Sequence, residues 1–132
     1  MNHLRLQTRL SLLALCAALS TLAANAQAQL FWNTNGTGAT WTSANWGTSA
    51  SGPFTSAWAS SSNTVFNATS TVTFATATIG DITVNENTTI TAGGTLTTKT
   101  GGSIVNVASG KTLTWNTQNW STSSNAINFT KN

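Results

Sequence analysis

Along most of the chain, apolar residues come in short alternating runs. Val72 and Phe74 alternate with threonine in residues 71–75 (TVTFA). Next come Ile82 and Val84, then Ile90, Leu96, Ile104 with Val105 and Val107, and Leu113 with Trp115. Residues 63–67 (NTVFN) and 126–129 (AINF) have the same character. Period-2 alternation is the signature of a half-buried strand, and no segment sustains the 3.6 period of a helix. Gly80-Asp81, Asn85-Glu86-Asn87, Gly93-Gly94, Gly101-Gly102 and Ser109-Gly110 punctuate the runs as turns. The prediction is an all-β chain.

One part of the pattern repeats. Residues 82–91 (ITVNENTTIT) lie over residues 105–114 (VNVASGKTLT) at an offset of 23. Ile82 coincides with Val105, Val84 with Val107 and Ile90 with Leu113. A fixed period in this range marks stacked units. The sequence therefore predicts a short parallel β-helix, or β-solenoid, with these pairs as internal ladders and Thr and Asn in outer hydrogen-bonding rows. A small β-sandwich is the alternative, because short strands with polar turns also suit that fold.

The N-terminal segment, Met1 to Ala28, reads differently. Arg5 and Arg9 precede an apolar run over residues 10–22, and Ala26-Gln27-Ala28 places small residues at −3 and −1. That is a secretory signal peptide, expected as a helix and cleaved after Ala28, with a second site after Ala26. The apolar run, Leu10 to Leu22, is short of the roughly 18–20 residues that span a bilayer. Cys16 follows Leu15, so it lacks the small residue that precedes a lipidated cysteine. The expected organisation is signal peptide 1–28, a tryptophan-rich cap 29–68 and stacked strands 69–132, the last an incomplete set continuing in a longer protein.

Removal of the leader changes the charge. Arg5, Arg9 and His3 leave with it, and Lys99, Lys111 and Lys131 remain against Asp81 and Glu86, a balance of +1. Nucleic acid wants a basic patch, so no nucleic-acid partner is expected. The membrane enters only through the export signal. The remaining chain has no Cys, His, Tyr or Arg, so disulfides, thiolates and a Ser–His couple are excluded. Asp81 and Glu86 are its only carboxylates. A glycosidase uses two carboxylates flanking the scissile bond, but here alternation of Ile82 and Val84 turns these two apart. They read as turn residues. Asp81 with Asn85-Glu86-Asn87 offers few of the oxygens that Ca²⁺ requires. No metal, cofactor or catalytic residue is expected.

Four of the six tryptophans fall between residues 32 and 58. Asn35-Gly36 lies between Trp32 and Trp41 and suits a hairpin loop. The unit W-x-x-x-N-W occurs at Trp41…Asn45-Trp46 and again at Trp115…Asn119-Trp120. Rings five residues apart fall on opposite faces of a strand, unless a turn at Asn45 or Asn119 brings them to one side. A core or cap role is the main expectation, with Trp32 and Trp58 the core residues. Trp46 and Trp120, with Asn45 and Asn119, are the candidates for an exposed sugar platform.

The leader running into FWNTNGTGATWTSANWG, the stretch TVTFATATIGDITVNENTTITAGGTLT and the motif SGKTLTW together resemble the N-terminal region of bacterial autotransporter-associated β-strand repeat proteins. The resemblance covers most of residues 29–115. It implies a right-handed parallel β-helix passenger, exported to the surface of a Gram-negative-type cell, with the periplasm as alternative, and no catalytic residues. A translocating barrel needs many strands of about 9–11 residues each, for which 132 residues leave no room. The expected function is a non-catalytic structural or adhesive surface segment, touching surface polysaccharide or pairing with itself at strand edges. A polysaccharide-binding module is the second reading, and a β-helix polysaccharide-degrading enzyme a remote third.

Overall fold

The computed structural model describes residues 27–32, 39–116, 119–121 and 125–132. The signal segment and the Asn35-Gly36 loop lie outside them. Among the described residues the chain is all-β, with no helix. Its strands are β1 (Gln29–Trp32), β2 (Ala39–Thr40), β3 (Trp46–Gly47), β4 (Asn63–Phe66), β5 (Ser70–Thr73), β6 (Ala77–Ile79) and β7 (Ile82–Val84). They continue with β8 (Thr88–Thr91), β9 (Thr95–Thr98), β10 (Ser103–Val107), β11 (Leu113–Trp115), β12 (Asn119–Trp120) and β13 (Ile127–Lys131).

Three sheets share these strands, in the orders β13-β10-β7-β4-β1-β3, β11-β8-β5-β2 and β12-β9-β6. From β4 onward each strand pairs in parallel with the strand three places later, so the chain visits the sheets in rotation. β1 and β4 belong to the same sheet as β7 and β10, so the stacked strands begin before residue 69. The strands flanking Asn35-Gly36 do not form the expected hairpin. β1 pairs with β3 and β4, whereas β2 pairs with β5 in another sheet.

The alternation read from the sequence sets which side faces inward. In the six-stranded sheet Leu30, Thr64, Ile82, Val105 and Phe129 occupy one inward column. In the four-stranded sheet Ala39, Val72, Ile90 and Trp115 form another. Ile82 and Val105 in the first column and Val72 and Ile90 in the second are fully buried. Two buried hydroxyls are bonded locally: Ser70 Oγ donates to the Ala68 carbonyl at 2.7 Å, and Thr88 Oγ1 to that of Glu86 at 2.9 Å. Ser70 and Thr88 are register partners, so the same corner is built twice.

The 23-residue offset holds for one side only. Ile82 faces Val105 and Val84 faces Val107, as expected. Ile90, however, faces Trp115 rather than Leu113, and Leu113 faces Thr88. Three residues (85–87) connect β7 to β8, whereas five (108–112) connect β10 to β11. The longer corner holds Gly110 at φ 71° and is closed by the Lys111 amide on the Ala108 carbonyl at 3.1 Å. A shift of two residues preserves the inward face, so it is tolerated where a shift of one would not be.

Corner side chains lock successive strands together. Asn63 Oδ1 accepts the Asp81 amide at 2.8 Å, and Asp81 Oδ1 accepts the Ile104 amide at 3.0 Å. Asn87 Oδ1 accepts the Thr112 amide at 3.0 Å. Asn85 Nδ2 donates to Asn67 Oδ1 at 2.7 Å. Each pin joins equivalent positions of neighbouring strands. Backbone approach is tight at the next corner: a Cβ on Gly93 would lie 1.9 Å from the Phe74 carbonyl oxygen.

Candidate functional site

Three groups of residues could carry chemistry or recognition: the tryptophans, the two carboxylates and the outward threonines. The tryptophans come first. A turn over residues 41–44 separates Trp41 from Trp46. It brings both rings to the same side, with centroids 5.1 Å apart, and Trp46 Nε1 donates to the Trp41 carbonyl at 2.6 Å. Trp46 is therefore not an exposed platform. It is fully buried, lies edge-on to Trp32 at 4.8 Å and contacts Trp58 at 5.1 Å. The physical reason is closure: Trp46 begins β3, which runs antiparallel beside β1, and its ring fills the end of the core.

Trp32 is buried as expected, and Trp58 is partly buried against Trp41 and Trp46. Phe66 and Phe74 continue the aromatic contacts inward, and Phe74 reaches Trp115 at 6.3 Å. Asn45 is half-buried beside the turn, and Asn119 is exposed on β12. In the second unit Trp115 and Trp120 stand on strands of different sheets, β11 in the four-stranded sheet and β12 in the three-stranded one. The Trp120 side chain lies outside what is described. Ala28, the expected cleavage position, is exposed, and its carbonyl accepts the Asn63 amide at 2.9 Å.

Both carboxylates are engaged. Asp81 Oδ2 lies 2.8 Å from Lys99 Nζ, and Glu86 Oε2 lies 2.6 Å from Lys111 Nζ. Each pair joins a corner to a lysine farther along the stack. Among the described residues no group of three His, Cys, Asp or Glu side chains comes together. The two carboxylates differ in a way that can be measured. Asp81 also accepts the Ile104 amide; such a charge-assisted bond contributes about 1.5–3 kcal/mol. An exposed ion pair alone contributes about 0–1 kcal/mol. Asp81→Ala is therefore expected to destabilise the chain by about 2 kcal/mol, and Glu86→Ala by less than about 1 kcal/mol. Urea unfolding of both variants checks this, and equal losses would remove the structural role assigned to Asp81.

The outward threonines form two rows on the four-stranded sheet. Thr71, Thr89 and Thr114 are register partners in one row, and Thr40, Thr73 and Thr91 in the other. Parallel pairing spaces members of a row by about 4.7–4.9 Å. Thr91 Oγ1 donates to Thr73 Oγ1 at 3.4 Å. On the three-stranded sheet Thr78 faces Thr97, and these two line a groove of about 350 Å³ with Trp58, Ser60, Thr76 and Ala77. Sequence inspection at the 23-residue offset missed this groove. Its signal is a shorter repeat, the one that sets Ala77 beside Leu96 and Ile79 beside Thr98.

Comparison with known proteins finds no matching family model, no matching curated protein and no matching solved structure.

Proposed function

We propose that this chain is an exported, non-catalytic β-solenoid segment with a structural or adhesive role at the cell surface, of the autotransporter-associated repeat type. The observation that supports the solenoid reading most is the parallel pairing, from β4 to β10, of each strand with the one three places later, in three sheets. The right-handed course is part of the same reading. A scaffold role fits the carboxylates, whose partners are lysines and a backbone amide instead of an open cleft. Export is tested by expressing the chain with its own leader in a Gram-negative host. The expected product lies outside the inner membrane and begins at Gln29 by N-terminal sequencing. A start at Gln27 would move cleavage to Ala26, and uncleaved protein in the cytoplasm would sink the export reading.

Polysaccharide contact is a second reading, favoured by the groove beside Trp58. A partly exposed indole next to threonine hydroxyls suits a sugar ring, with the apolar ring face on the indole and hydroxyls on the rows. Retention on insoluble glycans is expected to fall in Trp58→Ala while the far-UV circular dichroism is unchanged. Retention equal to that of the parent chain would rule out this groove.

A further inference from the structure

The outer face of the four-stranded sheet is uniform in a way that the other outer faces are not. Its outward positions are Thr71, Thr89 and Thr114 in one row and Thr40, Thr73 and Thr91 in the other. Thr71 and Thr114 are exposed, and the other four are partly exposed. The general preference of strands for threonine does not account for this uniformity. On the six-stranded sheet an outward row reads Phe31, Val65, Thr83, Asn106 and Thr130. On the three-stranded sheet Thr78 and Thr97 stand with Trp58 and Ser60 in a groove, so that side is not a plane. Charge is also kept away. Asp81, Glu86, Lys99 and Lys111 all lie in corners and are paired there. The strands of the four-stranded sheet carry no charged residue.

The geometry points to ice as the ligand of this face. Parallel pairing sets the threonines of a row about 4.7–4.9 Å apart, and two residues of strand set the rows about 6.4–6.8 Å apart. Side-chain ladders in register favour a flat sheet. The result is a near-rectangular plane lattice of hydroxyls. The prism face of hexagonal ice repeats at nearly the first spacing along one axis and a little above the second along the other. Threonine is stiff at χ1, so its hydroxyls are placed before contact and little rotamer freedom is lost on binding. The bond from Thr91 Oγ1 to Thr73 Oγ1 at 3.4 Å holds one pair further. Each threonine also presents a methyl group, whose removal from water favours contact. Charge complementarity agrees with this ligand. Ice is a neutral array of donors and acceptors, and a hydroxyl does both. A carboxylate or ammonium on the face would have to give up its hydration. A glycan fits less well, because none of the outward positions named above carries an aromatic ring on which a sugar could lie. The inference goes beyond the surface role proposed above, and it rests on the outer lattice and not on export.

The test follows a single ice crystal held just below its melting point in a solution of the purified full chain. The parent chain is expected to stop growth, to facet the crystal and to slow recrystallisation of polycrystalline ice. Thr89→Lys places a hydrated charge in the middle of one row and is expected to lose these effects. Thr71→Lys, at an exposed position of the same row, is expected to lose them as well, so the outcome does not depend on one variant. Thr83→Lys, on the outer face of the six-stranded sheet, adds the same charge elsewhere and is expected to behave as the parent. Far-UV circular dichroism is expected to be the same for all four chains. Unhindered growth in the parent chain, arrest that survives both Thr89→Lys and Thr71→Lys, or equal loss in Thr83→Lys would each overturn the proposal. Unhindered growth together with retention on crystalline cellulose that depends on Thr89 would assign the face to polysaccharide instead. A failure here leaves localisation unaffected, and a failure of export leaves the ice assay unaffected.

Discussion

Trp46→Ala is expected to unfold the closed end of the stack. The Trp46 ring is fully buried and contacts Trp32, Trp41, Trp58 and Phe66. Truncating a buried tryptophan costs about 3–5 kcal/mol through lost transfer energy and the cavity left behind. The lost indole also removes the bond from Nε1 to the Trp41 carbonyl. That carbonyl sits in a buried position, so its desolvation goes uncompensated. Against a total stability of about 5–15 kcal/mol for a small domain, the variant is expected to be partly or wholly unfolded at body temperature. Denaturant unfolding followed by circular dichroism measures it. A loss below about 1 kcal/mol would mean that the ring is dispensable, as an exposed platform residue would be.

Ile82 and Thr83 make the second comparison. They are adjacent in β7 and point to opposite sides. Ile82 is fully buried in the inward column between Thr64 and Val105. Ile82→Ala is expected to cost about 2–5 kcal/mol, as a buried aliphatic truncation does. Thr83→Ala, on the outer face, is expected to stay within about 0.5 kcal/mol of the parent. Parallel urea titrations give both values. Similar losses at the two positions would mean that the inward and outward assignment of this sheet is incorrect.

That assignment is legible in the sequence because alternation is a local property. Val72 and Phe74, Ile82 and Val84, and Val105 and Val107 each announce one face of a strand, and each is buried. The partners of those strands are legible where the corner length happens to match. The 23-residue offset identifies Ile82 with Val105 but misassigns Ile90, because two residues are added in the corner after β10. A shorter repeat builds β4 and β5 onto β7 and β8. It relates Asn63 to Asp81, Asn67 to Asn85 and Ser70 to Thr88, and the first two of these pairs are hydrogen-bonded. It is hard to see beforehand because its apolar members differ, with Thr64 and Phe66 standing where Ile82 and Val84 recur.

The tryptophans illustrate the opposite case. The W-x-x-x-N-W unit suggests that a turn could unite two rings, and one does so at Trp41 and Trp46. Exposure is not legible in the same way, since polar neighbours in sequence do not show what covers a ring in space. Trp46 is covered by Trp32, which lies before the turn on β1, and by Trp58, which lies beyond Pro53.

The all-β class, the inward side of most strands, the corners and the small chemical inventory all follow from the order of residues alone. They depend on side-chain alternation, turn residues and composition, each of which acts over a few neighbouring positions. Which strands pair, which end of the sheet is closed, and which partners hold Asp81 and Glu86 are fixed only once the chain has folded. Those depend on corner length and on contacts between residues far apart in the chain, and a change of two residues in one corner is enough to alter them.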